Sequence, residues 1–148
     1  YISPSILPSR TANSIHVINQ SLGFCQCNYK VILYAQRSKF FLSSNDIKSS
    51  YGIFDKTLII KSFFSLINFG GSFQILLLFL INFPFIKSND ILISRNLYVS
   101  FFITFFLRRK SIYETHGIES GIKGYIQKHI LNSKLVSNIV ISHSLKSL

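Results

Sequence analysis

Runs of β-branched residues alternate with stretches of helical periodicity along this chain, and that alternation restricts its possible folds more than any other feature. Residues 13–25 place Ile15, Ile18, Leu22 and Cys25 three or four apart, the stripe of an amphipathic helix that Asn13 or Thr11 can cap. Before it come Tyr1-Ile2-Ser3, the stump of a strand, and a loop carrying Pro4, Ser5, Pro8, Ser9 and Arg10. After it, KVILYAQ (30–36) is a β-branched and aromatic run suited to a buried parallel strand. Strand, loop, helix and strand make a βαβ opening.

Residues 39–56 are polar, with Asn45, Asp46 and Gly52, and read as a loop; TLIIK (57–61) reads as a third strand. The segment 63–86 is apolar enough to raise a membrane span, which would make this a small membrane-anchored protein. Its longest unbroken apolar run is 75–81, however, well below the ~18 to 20 residues a span needs. It also holds Asn68, Gly70-Gly71, Gln74, Asn82 and Pro84, so the preferred reading is a buried helix ended near Pro84. DILISRN (90–96) is then a strand, and LYVSFFITFFL (97–107) a helix with Ser100 and Thr104 on one face. Arg108, Arg109 and Lys110 close that helix, where cations suit its negative end. SIYETH (111–116) is a strand, Ile122, Tyr125, Ile126, His129 and Ile130 form a helical stripe, and SNIVISH (137–143) is a last strand leading into Ser144-Leu145-Lys146. The expected fold is α/β, a Rossmann-like open parallel sheet with helices on both faces. Ligands of such sheets sit at the carboxyl ends of the strands, where Glu114, Thr115 and His116 fall.

Of the 148 residues, 48% are hydrophobic, enough for one domain with a real core. The net charge of +11 favours anionic partners: phosphates, acidic lipid head groups or nucleic acid. Nucleic acid is the weakest of these, because the aromatic residues fall in apolar runs instead of alternating with Lys and Arg. Abundant Ile, Lys, Asn and Phe, with Ala only at 12 and 35, look partly like codon bias, which reduces the weight of the charge. With no methionine, even at position 1, the chain is expected to be a fragment, and no signal peptide can be read from it. Cys25 and Cys27, one residue apart, fit neither a redox CxxC nor a zinc knuckle and read as small apolar residues in a reducing compartment.

Glu114, His116 and Glu119 lie within six residues of a chain that has only five acids and four histidines. A zinc site built on His116 and Glu119 rests on HxxE alone, a weak signal. A hydrolase triad of Ser142, His143 and Glu114 lacks a GxSxG elbow. His116 satisfying a turn is the plain alternative. His16, near Gln20, reads as a solvated helix residue, His129 as core or half-buried, and Lys123, Lys128 and Lys134 as a solvated face. Neither a GxGxxG nor a GxxxxGK loop occurs.

Three segments carry a resemblance. SPSILPSRTANSIHVINQSLGF resembles the start of family 4 glycosyltransferases, DILISRNLYVSFFITFFLRRKSIYETHG their middle, and HILNSKLVSNIVISHSLKSL a later helix, strand and helix start. Order and spacing agree from residue 1 to 148, with a poor match between 39 and 90. The resemblance implies that 1–148 is an incomplete N-terminal, acceptor-side domain of a two-domain GT-B fold, the C-terminal donor-binding domain with its paired-glutamate motif being absent. It implies a retaining transferase with a nucleotide diphosphate sugar as donor and a glycan or lipid-linked acceptor, working in cell-surface polysaccharide synthesis without a cofactor or obligatory metal. The expected location is cytoplasmic, peripheral at an anionic inner membrane face. His116 would reach the donor sugar and reacting centre, Asn13 and Ser14 would lie near acceptor or donor phosphates at a helix N-terminus, and Arg95, Asn96 and Glu114, at strand ends, would likewise bind donor or acceptor. The first loop lacks the Gly-Gly pair that many members have.

Overall fold

Strands and helices alternate through the described residues, 1–64 and 71–140 of a computed structural model. In chain order they are β1 (Ile2–Leu7), α1 (Ala12–Gln26), β2 (Val31–Arg37), α2 (Ser44–Ser50), β3 (Leu58–Phe64) and α3 (Gly71–Asn82) with a 3-10 turn (Phe83–Phe85). Then follow β4 (Ile93–Ser94), α4 (Leu97–Phe101) with a π-helical continuation (Phe102–Phe106), β5 (Ser111–Thr115), α5 (Gly121–Leu131) and β6 (Val136–Val140). The sheet is all parallel in the order β3-β2-β1-β4-β5-β6, a Rossmann-like α/β fold as expected. Strand order reverses between β1 and β4, which places a crevice there.

That junction is thin for a local reason. Pro4 has no N–H to give a ladder; β1 pairs β4 only at Ile2↔Ser94, and its register with β2 shifts between Ile2 and Ile6. Ser3 and Ser5 are buried there and bond each other through their hydroxyls at 2.8 Å. The sheet thus opens beside Pro4.

Each face of the sheet carries its own core. Leu7, Leu33, Ala35 and Ile60 pack with Val17 and Ile18 of α1 and Ile47 of α2. Ile2 and Tyr34 pack with Ile75, Leu78 and Phe79 of α3 and Val99 and Ile103 of the α4 segment. Burial on both faces explains why 30–36 reads as a nearly continuous apolar run.

Several expectations are corrected. Residues 39–56 contain α2, nucleated by a capping box in which Ser43 Oγ accepts from Asp46 N and Asp46 Oδ2 accepts from Ser43 N. In 63–86, β3 continues to Phe64 and α3 has 12 residues; residues 65–70, including Asn68 and Gly70, lie outside the described set. The helix is not buried all round: Gln74, Ile75, Leu78 and Phe79 face the sheet, whereas Phe73, Leu77 and Ile81 are exposed. Among the described residues no helix is long and apolar enough to cross a membrane. The buried face of α1 is Ser14, Val17, Ile18, Ser21 and Cys25, with Ile15 exposed and Thr11 as the cap. The helix at 97–107 widens into a π turn where Thr104 Oγ1 donates to the Ser100 carbonyl at 2.7 Å. On α5 the buried residues are Gln127 and Ile130, while Ile122, Tyr125 and His129 are exposed, so His129 is not core. Ser142, His143 and Ser144-Leu145-Lys146 lie outside the described residues.

Candidate functional site

A cleft of about 390 Å³ opens at the switch point, lined by Pro4, Asn13, Arg95, Glu114, His116 and Glu119 among others. Its floor is Glu114, the penultimate residue of β5, whose side chain is 1% exposed. Burying a carboxylate is costly unless partners satisfy it, and four side chains converge here. The Tyr1 hydroxyl lies 2.6 Å from Oε2, while His16 Nε2, His116 Nε2 and Arg95 Nε lie 3.2, 3.3 and 3.4 Å from Oε1.

Tyr1 has one phenolic proton and two acceptors in reach, Glu114 Oε2 and Gln20 Oε1, each at 2.6 Å. The ionised carboxylate is the stronger acceptor, so Gln20 is better served turning its amide N–H to the phenol oxygen. Burial, then the Glu114 contact, pushes the Tyr1 phenol above its ordinary range. Burial alone would raise the Glu114 carboxyl too; the adjacent His116 imidazole, the Tyr1 hydrogen bond and the Arg95 charge outweigh it and lower the carboxyl to about 2. Glu114 is therefore an anion at neutral pH.

Arg95 follows β4 directly, tied down by its backbone N–H donating to the Ile2 carbonyl at 2.9 Å. Its side chain is 4% exposed. Nε donates to His116 Nε2 at 2.5 Å, Nη2 stands 3.1 Å from His116 Nδ1, and Nη1 is buried with no partner among the described residues. The guanidinium neutralises Glu114 and props the imidazole. His116 (39% exposed) and His16 (45%) meet edge to face, ring centroids 6.4 Å apart.

The loop after β5 is held by α5. Gln127 Nε2 donates to the Gly117 carbonyl at 2.8 Å, and its Oε1 accepts from Glu119 N at 2.9 Å. Gly124 makes room for this loop: a Cβ there would stand 2.5 Å from the Glu119 carbonyl oxygen. The turn after Glu114-Thr115-His116 is thus a packed wall of the cleft.

Of the six residues expected at the site, Asn13, Arg95, Glu114 and His116 line the cleft. Asn13 Nδ2 donates to Ser5 Oγ at 3.0 Å. The other two serve the scaffold. Ser14 is buried and donates to the Ile6 carbonyl at 3.0 Å, strapping α1 to β1. Asn96 is buried, caps α4 by accepting from Val99 N at 3.0 Å, and donates to the Ser72 carbonyl. Sequence reasoning missed Tyr1, His16 and Gln127. His16 sits in α1 facing the carboxyl edge of the sheet, and its partner is 98 residues away, so no local spacing marks it.

Among the described residues no three or more His, Cys, Asp or Glu side chains are grouped to hold a metal ion; the cation beside Glu114 and His116 is Arg95. The arrangement offers a half-exposed imidazole fixed by a charged, buried pair, able to hydrogen-bond a polar ligand in the cleft. No protein-family model, curated protein or solved structure matches the chain.

Proposed function

We propose that the chain is the acceptor-side domain of a retaining glycosyltransferase. In this reading a second domain supplies most of the donor site, and sugar moves from a nucleotide diphosphate sugar to a glycan or lipid-linked acceptor. The observation that carries the reading is His116, half-exposed on the switch-point cleft and held by Arg95 and Glu114. In it, the resemblance in sequence and the geometry of the site meet on one residue. Asn13 and the His16 ring edge are further polar groups on that side of the sheet for a sugar or phosphate oxygen.

In this mechanism His116 hydrogen-bonds the donor sugar where charge develops, and fixed donors of this kind stabilise a transition state without reorganising. Glu114 touches no substrate; it keeps Arg95 and His116 in place. The enzyme works in the cytoplasm, peripheral to the inner membrane face, and the 148-residue chain alone does not turn over.

The test is transfer by the complete enzyme from a panel of nucleotide diphosphate sugars, with the anomeric configuration of the product read by NMR. Transfer with retention supports the reading, as does a paired-glutamate segment about one domain downstream. A complete enzyme that uses none of these donors, or inverts, overturns it.

A further inference from the structure

A second cavity, of about 380 Å³, lies at the opposite end of the sheet, where β4, β5 and β6 begin. Ser111, the first residue of β5, and Ser137 of β6 line it from the strands, and Ser88, Arg109 and Lys110 line it from the connecting segments. The connection into β5 passes through Arg108 at φ 49°, a left-handed backbone that a residue with a long side chain rarely adopts. Strain of this kind gathers at ligand sites.

The charge on this cavity is uncompensated. Arg109 Nη2 donates to the Lys87, Ser88 and Asp90 carbonyls at 2.7, 2.9 and 3.2 Å, neutral acceptors that fix the guanidinium without cancelling its charge. Lys110 is exposed and has no hydrogen-bond or ion-pair partner among the described residues. The acid in the lining, Asp90, accepts from Lys87 N at 2.8 Å within its own loop and pairs with neither cation. A separate sign of a ligand lies deeper. Ser111 is 6% exposed, and its Oγ is buried with no hydrogen-bond partner among the described residues. Such hydroxyls are rare, because each has given up its hydration for nothing in return. An oxyanion in the cavity supplies the missing acceptor. Two cations and three serine hydroxyls exceed what the two oxygens of a carboxylate accept, whereas a phosphomonoester presents three free oxygens and a charge of roughly −2. Ile91 and Ile112 add apolar wall for the carbon body of such a ligand.

We propose that this cavity binds the phosphomonoester group of a small soluble molecule, with Arg109 and Lys110 meeting its charge and Ser111 donating to one of its oxygens. Strand β5 runs from Ser111 here to Glu114 at the switch-point cleft, about 10 Å along the strand. The two sites share no lining residue, so both can be filled together. The proposal does not rest on the sugar-transfer reading.

The experiment titrates the 148-residue chain with inorganic phosphate, at an ionic strength held constant with chloride, and reads backbone amide shifts by NMR. Saturable shifts are expected at Ser88, Lys110, Ser111 and Ser137. Lys110→Glu should weaken phosphate binding at least tenfold, whereas Lys56→Glu, the same charge change on an exposed lysine outside the cavity, should bind as wild type. Ser111→Ala separates a ligand site from plain structure. With no partner to lose, the variant should keep its melting temperature in the absence of phosphate, yet lose roughly tenfold in phosphate affinity. Acetate should bind at least tenfold more weakly than phosphate. Shifts that stay linear with phosphate, that are confined to the cleft, or that are unchanged in either Lys110→Glu or Ser111→Ala overturn the proposal. A loss in Lys56→Glu as large as that in Lys110→Glu, or acetate binding as tightly as phosphate, overturns it as well. Displacement of phosphate by vesicles of phosphatidic acid assigns the cavity to a lipid head group and overturns the soluble ligand.

Discussion

The phenol of Tyr1 stands 2.6 Å from Glu114 Oε2, reaching past β4 to join residues 113 apart in sequence. This contact fixes the floor of the cleft to the start of the sheet. Tyr1→Phe keeps the ring and its edge-to-face contact with Phe24 while removing the donor. A buried carboxylate left short of one hydrogen bond costs about 1 to 3 kcal/mol. Urea unfolding should show that loss, with the slope of the transition unchanged.

Acid should act on the same group. The folded carboxyl of Glu114 lies at about 2 against an ordinary value of 4.5. A lowered pKa contributes stability that is fully present above pH 4.5 and is lost as pH falls toward 2. The difference corresponds to roughly 3 kcal/mol. Wild type should therefore lose stability across that window, and Glu114→Gln should show a flatter profile there. At neutral pH the variant should be the less stable of the two by about 3 kcal/mol, because Arg95 is left as a buried cation without its anion. Equal acid profiles for the two proteins would contradict the ionised pair.

What the sequence made legible is what local periodicity and β-branching encode. The strand at 30–36, the helix after the first loop and the placement of Glu114 and His116 at a strand end all follow from neighbours in the chain. Helix α2 was hidden because it buries one apolar side chain, Ile47, and announces itself only through Ser43 and Asp46. The face of α1 was misread because small hydroxyl residues take up buried positions: Ser14 donates to the Ile6 carbonyl and Ser21 to the Val17 carbonyl. Their polarity is cancelled inside the fold, which a hydropathy pattern does not register. The cleft's network joins Tyr1, His16 and Arg95 to Glu114 across large separations, set by strand order alone. No spacing rule encodes a reversal between β1 and β4.

Gly124 should break a general rule. Inside a helix Gly→Ala normally stabilises by roughly 0.5 to 1 kcal/mol. Here the added Cβ would stand 2.5 Å from the Glu119 carbonyl oxygen, a backbone atom. Gly124→Ala should therefore destabilise the fold and displace the wall at Gly117 to Glu119, which Gln127 clamps. Thermal melting gives the sign, and amide shifts of Gly117 and Glu119 report the displacement.

Two histidines allow the proposed catalytic role to be told apart from a structural one. His116 lies against Arg95 at the cleft, whereas His129 is exposed on α5 against the Tyr125 and Phe105 rings. On the proposed transferase reading, if His116 hydrogen-bonds the donor sugar as charge develops, His116→Ala in the full-length protein should lower kcat by roughly 10²- to 10³-fold, the usual cost of one preorganised donor. His129→Ala should leave kcat unchanged. If His116 serves only to satisfy Arg95 and the turn, its loss should appear as about 1 to 3 kcal/mol of stability, with turnover per folded molecule preserved. Melting temperature and single-turnover rate measured on both variants distinguish these outcomes, and a His116→Ala enzyme that melts early but reacts at the normal rate removes His116 from the chemistry.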